Sequence, residues 1–187
     1  MKNKHKIVLD YRQDPSKVEK LKAKGKKIIL TQGSYDIIHV GHARYLNEAK
    51  KHGNYLIVGL DSDKKVRKRK GSGRPVVPED ERLEMLTYLK SVDLVVLKKI
   101  TDPKWNLIKT VKPDVLIATK ETYNLKQLDQ LKKYCKKIVV LDPMAVTSTS
   151  AKIRRVQIGA AKKLESALTK KLISTIEEVL DEFKNSK

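Results

Sequence analysis

The chain has 187 residues, enough to bury one ordinary α/β core but few for two complete domains. Its 42 basic residues against 22 acidic ones leave a formal charge of +20, which favours anionic ligands such as nucleotides, nucleic acid or acidic lipid head groups. No apolar run is long enough for a helical membrane span and the opening MKNKHKIVLDYRQDP lacks the apolar stretch of a secretion signal, so the expected setting is the cytoplasm, with no membrane partner.

The elements follow from apolar patterning. After a basic lead over residues 1–15, residues 16–24 suit a helix that Gly25 stops before the apolar run Ile28, Ile29, Leu30, the expected first strand of the fold. A helix from about Gly41 to Lys51 leads into YLIVGL (55–60), and KKVRKRKGSGR follows as a basic loop. Pro78, Glu79 and Asp80 suit the first turn of a helix running to Lys90, after which VDLVVL is a third strand. Residues 103–111 and 124–134 suit further helices, with DVLIA as the fourth strand and KIVVLD as the fifth. Cys135, the single cysteine, falls at the handover from helix to strand and reads as a structural thiol. Strands alternating with helices predict a Rossmann-like, doubly wound, parallel sheet of five strands. One domain is expected over 1–155. A helical extension over 156–187 follows, in which Leu164, Leu168, Leu172, Ile176, Leu180 and Phe183 share a face that packs on the domain or on a second copy in a homodimer.

Three segments carry candidate chemistry. In TQGSYDIIHVGH, Gly33 ends a strand and His39 and His42 stand three apart where a helix begins, so both imidazoles share the face at its N-terminus. Unpaired N–H groups and the positive dipole end there suit a phosphate. In VTSTSAKIRR, Ser148, Thr149 and Ser150 precede a helix expected near Ala151 and read as a cap or as further phosphate donors. In the basic loop, Lys70 and Arg74 flank Gly71 and Gly73 in KGSGRP and can close over phosphates, whereas the remaining lysines read as a solvated charge run. Asp36 can place a metal ion, cap the next helix or orient a neighbour. Asp61 and Asp63, at a strand's carboxyl end, suit either ligand contact or a cap.

GSYDIIHVGH resembles the HxGH signature of the cytidylyltransferase-like nucleotidyltransferases, relatives of the class I aminoacyl-tRNA synthetase catalytic fold. The similarity extends over residues 16–155 and is greatest to heptose 1-phosphate adenylyltransferase domains. It implies transfer of a nucleotidyl group from a nucleoside triphosphate, ATP in preference to CTP, to a phosphorylated small acceptor such as a sugar phosphate. Pyrophosphate leaves, and magnesium is held mainly by phosphate oxygens and water. It further implies that His39, His42, Lys70 and Arg74 are catalytic. Gly33, Ser34, Tyr35, Arg82, Ser148, Thr149 and Ser150 then contact the nucleotide. Arg82 in PEDERLEML also suits an internal ion pair. The glycine- and aspartate-bearing segment that relatives carry after the fourth strand reads LIATKETYNL here, so Thr119 and Lys120, with Asp61 and Asp63, are the expected acceptor contacts and Asp36 the expected metal contact. Glycerol 3-phosphate and flavin mononucleotide are the alternative acceptors. A catalytically lapsed nucleic-acid-binding protein is the rival of another class; aromatic residues at 5% and the want of a recognised RNA- or DNA-binding motif count against it.

Overall fold

The computed structural model describes residues 3–11, 16–142, 144 and 149–185. They form two compact units, Met1–Val146 and Thr147–Lys187.

In the first unit, six parallel strands lie in the order β1-β4-β3-β2-β5-β6. They are β1 (Ile7–Val8), β2 (Ile28–Gly33), β3 (Tyr55–Asp61), β4 (Leu94–Lys98), β5 (Val115–Ala118) and β6 (Lys137–Val140). The sheet therefore has one strand more than the patterning predicts. β1 is two residues in a basic lead, too short to read as an apolar run; pairing of Ile7 with Val95 and Val8 with Val96 of β4 makes it a strand. Helices α1 (Ser16–Ala23), α2 (Val40–Lys50), α3 (Asp63–Lys70), α4 (Glu79–Thr87), α5 (Asn106–Val111) and α6 (Leu125–Leu131) make the crossovers.

The central strands carry consecutive apolar residues because both faces are covered, with polar residues toward their carboxyl ends. Ile29, Leu56, Val58, Leu60, Val95, Val115 and Ile117 pack with Leu46 and Ala49 of α2 and Leu83 and Leu86 of α4. The alternate residues Ile28, Leu30, Ile57, Leu94, Val96 and Leu116 pack with Leu107, Ile108 and Val111 of α5 and Leu131 of α6. Aspartates just ahead of two strands accept amides near the start of the neighbouring strand: Asp93 accepts from Leu56 N at 2.6 Å and also pairs with Lys50, and Asp114 accepts from Ile28 N at 2.8 Å.

The expected basic loop is helical over its first half. Ser62 Oγ accepts from Lys65 N, Asp63 supplies the first-turn acid, and four basic residues in the last turn complement the helix dipole. Gly71, at φ +94°, ends α3 in a conformation that a side chain would strain.

Chain order sets where a ligand belongs. From β2 the chain winds outward through β3 to β4, then returns past β2 to β5 and winds the other way. The crevice at such a switch point opens at the strands' carboxyl ends, here Gly33 of β2 and Ala118 of β5.

The second unit is one helix, α7 (Thr149–Asn185), of 37 residues. It runs unbroken through residues 155 and 156, the expected domain boundary, and Leu164, Leu168, Leu172, Ile176 and Leu180 on it are exposed. Among the described residues no helix is long and apolar enough to cross a membrane.

Candidate active site

The paired histidines open α2. His39 is the N-cap, and its Nδ1 accepts the Gly41 N–H at 3.1 Å; His42 Nδ1 accepts the His39 N–H at 3.4 Å. These reciprocal bonds form a capping box built from imidazoles rather than from a hydroxyl and a carboxylate. With Nδ1 placed as an acceptor on each ring, Nε2 is the nitrogen that carries the proton in the neutral form of that arrangement. The ring centroids are 4.1 Å apart. Tyr35, buried at φ +44°, lies with its ring centroid 5.4 Å from that of His42. Gly33 allows this ring to lie flat on the strand end: a Cβ there would stand 2.9 Å from Tyr35 Cε2.

Cationic groups reach the same strand ends from α3 and the turn after it. Arg69 Nη2 donates to Ser34 Oγ at 2.7 Å and stands 2.9 Å from Asp61 Oδ2, an ion pair without good hydrogen-bond alignment. Arg74 Nε donates to Asp36 Oδ2 at 2.7 Å, while its Nη2 is buried with no hydrogen-bond partner among the described residues. Partial burial, with Arg69 and Arg74 close by, holds the Lys70 ammonium below its ordinary pKa despite Asp36 and Asp61. Three cations thus share a partly desolvated place, which an anion would relieve.

Asp36 is fully engaged. Its Oδ1 accepts from Val76 N at 2.8 Å and Val77 N at 3.0 Å, and Oδ2 takes Arg74, so the carboxylate anchors the 74–77 turn. Among the described residues no group of three or more His, Cys, Asp or Glu can hold a metal ion. Side chains so occupied do not fit a protein-held magnesium; the ion suits the phosphates of a bound triphosphate instead.

Arg82 is 1% exposed and spends its donors inside the protein. Nη1 reaches Ser34 O at 2.5 Å and Asp61 O at 3.0 Å, Nε reaches Val77 O at 2.9 Å, and Nη2 pairs with Asp63 Oδ1 at 2.6 Å. It ties β2, β3 and the 74–77 turn together behind the site, the internal ion pair that its sequence context also allowed. Asp63 is accordingly held by Arg82, and by Arg67 at 3.4 Å.

Asp61 pairs with a residue that sequence patterning does not single out. Lys98, aligned with Asp61 in the β3–β4 register, donates to its Oδ1 at 3.0 Å. Burial alone would raise the Asp61 carboxyl, but Lys98 and Arg69 outweigh it and hold the group below its ordinary value; burial lowers the Lys98 ammonium. The one sequence signal is a lysine directly after an apolar strand, which is uninformative until the register is known.

Across the crevice, the Thr119 and Thr122 hydroxyls lie 2.7 Å apart in the turn after β5. Gln32 Nε2 donates to the buried Tyr123 hydroxyl at 2.9 Å, tying LIATKETYNL to β2. Lys120 is exposed and faces Asp142 at 3.4 Å. Cys135 is half-buried, donates to Leu131 O at 3.2 Å, and has its thiol pKa pushed up by burial. Ser148 lies outside the described residues; Thr149 and Ser150 open α7 in the second unit.

A doubly wound parallel sheet carrying an HxGH segment at its switch point defines the chain as a Rossmann-like nucleotidyltransferase. The chain belongs to the Cytidylyltransferase-like family, whose model matches residues 30–181. It is 48% identical over 104 residues to the "Bifunctional protein HldE" of Aliarcobacter butzleri, covering 54% of this chain and 22% of the relative. To the protein of that name from Alcanivorax borkumensis it is 35% identical over 143 residues, 75% of this chain and 30% of the relative. The chain thus spans less than a third of the length of these relatives. Among solved structures, a lipopolysaccharide core biosynthesis protein from Thermoplasma volcanium superposes with a TM-score of 0.57 at 29% identity, over 65% of this chain and all of that one. The pantoate-beta-alanine ligase of Francisella tularensis shares the fold, with a TM-score of 0.54 at 18% identity over 72% of this chain and 66% of its own.

Proposed function

We propose that the chain transfers an adenylyl group from ATP to a sugar phosphate. An oxygen of the acceptor phosphate attacks the α-phosphorus in line, a new P–O bond forms, the bond to the β-phosphate breaks, and pyrophosphate leaves. No covalent enzyme intermediate is required, and catalysis is positioning and charge stabilisation.

The observation that carries this reading is the imidazole capping box at the sheet's switch point. Two adjacent imidazoles stand at a helix N-terminus, where a triphosphate is best accommodated. His39 and His42 would donate to the phosphates and stabilise charge as pyrophosphate departs. Lys70 and Arg74 would close over the same oxygens, Arg74 through the Nη2 that has no hydrogen-bond partner among the described residues. Gly33, Ser34 and Tyr35 would shape the floor, and Arg82 would act through them by holding the Ser34 carbonyl. The hydroxyls of Ser148, Thr149 and Ser150 are proposed triphosphate contacts on sequence grounds. Asp61 and the Thr119–Lys120 turn would flank the acceptor, with Lys98 and Arg69 setting the charge of that wall. Magnesium would enter with the triphosphate, and the reaction would run in the cytoplasm, where nucleoside triphosphates are made.

The test is pyrophosphate release from each of four triphosphates paired with a panel of sugar 1-phosphates, glycerol 3-phosphate and flavin mononucleotide. ATP with a sugar phosphate should be the productive pair. Absence of release from every pair would overturn the reading.

A further inference from the structure

Two arginines meet the carboxyl end of β3, and they are held differently. Arg82 is buried and gives its donors to three carbonyls and to Asp63. Arg69, in the last turn of α3, has a side chain 52% exposed, and among the described residues its one hydrogen bond runs from Nη2 to Ser34 Oγ at 2.7 Å. The same nitrogen stands 2.9 Å from Asp61 Oδ2, yet that oxygen is buried with no hydrogen-bond partner among the described residues. One nitrogen is thus divided between two acceptors, and the other donors of the guanidinium are not spent on the frame.

Asp61 does not need Arg69 in order to remain an ion. Its carboxylate is 1% exposed, Oδ1 takes Lys98 at 3.0 Å, and its backbone carbonyl is fixed by Arg82 at 3.0 Å. Gly59 leaves room for the lysine stem along the same face of the sheet, since a Cβ there would stand 2.9 Å from Lys98 Cδ. Taking one partner from a buried pair is costly when a bare charge is left behind, and here Lys98 stays in place. Arg69 therefore holds the exposed, poorly aligned share of an anion that is already compensated. A phosphate is the stronger partner, because a guanidinium can meet its oxygens with two parallel, charge-assisted bonds. Ser34 belongs to the GSYD segment that leads to His39 and His42, so Arg69 is tethered where the phosphates are proposed to lie.

We infer that Arg69 is a further triphosphate ligand, one that gives up Asp61 for phosphate oxygens when the nucleotide binds. The inference rests on the proposed reading of the site. It makes the Asp61 carboxylate a competitor of the triphosphate for this arginine.

Calorimetric titration of the whole chain with magnesium and the α,β-methylene analogue of ATP measures that competition in a double-mutant cycle. Arg69→Met should weaken binding about ten-fold through the lost charge-assisted bonds. Asp61→Asn should tighten it about three-fold or more, because the arginine no longer has a carboxylate to leave. With both substitutions the gain should vanish, to within about two-fold of Arg69→Met alone. A gain of the same size with and without Arg69 would be a general effect of removing negative charge and would overturn the inference. So would unchanged or weaker binding in Asp61→Asn, or full affinity in Arg69→Met. If Asp61→Asn unfolds for want of a partner to Lys98, Asp61→Asn with Lys98→Met takes its place in the cycle and leaves the local net charge unchanged. A wild type that does not bind the analogue would remove the proposed reaction and this inference with it, whereas the other adverse results leave the reaction standing.

Discussion

Replacing Arg82 with alanine tests whether this residue frames the site or binds the substrate. The guanidinium is 1% exposed and serves three carbonyl oxygens, of Ser34, Asp61 and Val77, besides the Asp63 carboxylate. Its removal leaves Asp63 without its closest cation and strands carbonyls at the ends of β2 and β3. Breaking a buried pair of this kind costs about 3–5 kcal/mol, each stranded acceptor contributing about 1–3 of it. At about 2–4 °C per kcal/mol for a chain of this size, the midpoint should fall by roughly 10 °C. Fluorescence of Trp105, the single tryptophan, packed against the core beneath α5, follows unfolding of the first unit in urea or heat. Arg82→Met, which keeps most of the volume, should lose nearly as much, because unpaired polar groups dominate. A loss below about 1 kcal/mol, with triphosphate affinity reduced instead, would refute the framing role and return Arg82 to direct phosphate contact.

His39→Ala or His42→Ala should abolish pyrophosphate release while costing only about 1 kcal/mol of stability through the lost cap, read by urea unfolding; turnover retained in both variants would remove them from catalysis. Asp36→Asn weakens the anchor of the 74–77 turn and should raise the KM for triphosphate more than it lowers kcat, since Arg74 loses its ionic partner. Gly59→Ala places a Cβ 2.7 Å from Leu107 Cδ2 and 2.9 Å from Lys98 Cδ, and overpacking of this kind should cost about 1–3 kcal/mol. For Asp61, the folded state holds the carboxyl below its unfolded value near 3.9, so its contribution is present above that pH and is lost as pH falls through the folded value. Urea unfolding between neutral and acid pH should show a shallower acid loss in Asp61→Asn than in the wild type; parallel curves would refute the pairing with Lys98 and Arg69.

Much of this protein is legible in local patterning. Apolar runs of strand length between helical stretches require a parallel, two-sided sheet, since only such a sheet buries every position of LIVGL or VLIA. HxGH after a strand-ending glycine marks a helix start suited to a phosphate, because capping and dipole are properties of a single turn. What patterning cannot supply is pairing at a distance. β1 becomes a strand only beside β4, and the basic run becomes a helix through a serine cap whose strength the charge pattern conceals. In sequence Asp36 and Arg82 each admit a ligand contact or a structural role; in the structure Asp36 holds Arg74, 38 residues away, and Arg82 holds the Ser34 carbonyl, 48 residues away. Lys98 gains its meaning solely from the register that seats it on Asp61. Local propensity and periodicity act within a turn or a strand and are written in consecutive residues. The electrostatics of a site depend on which strand ends converge, and tertiary structure alone decides that.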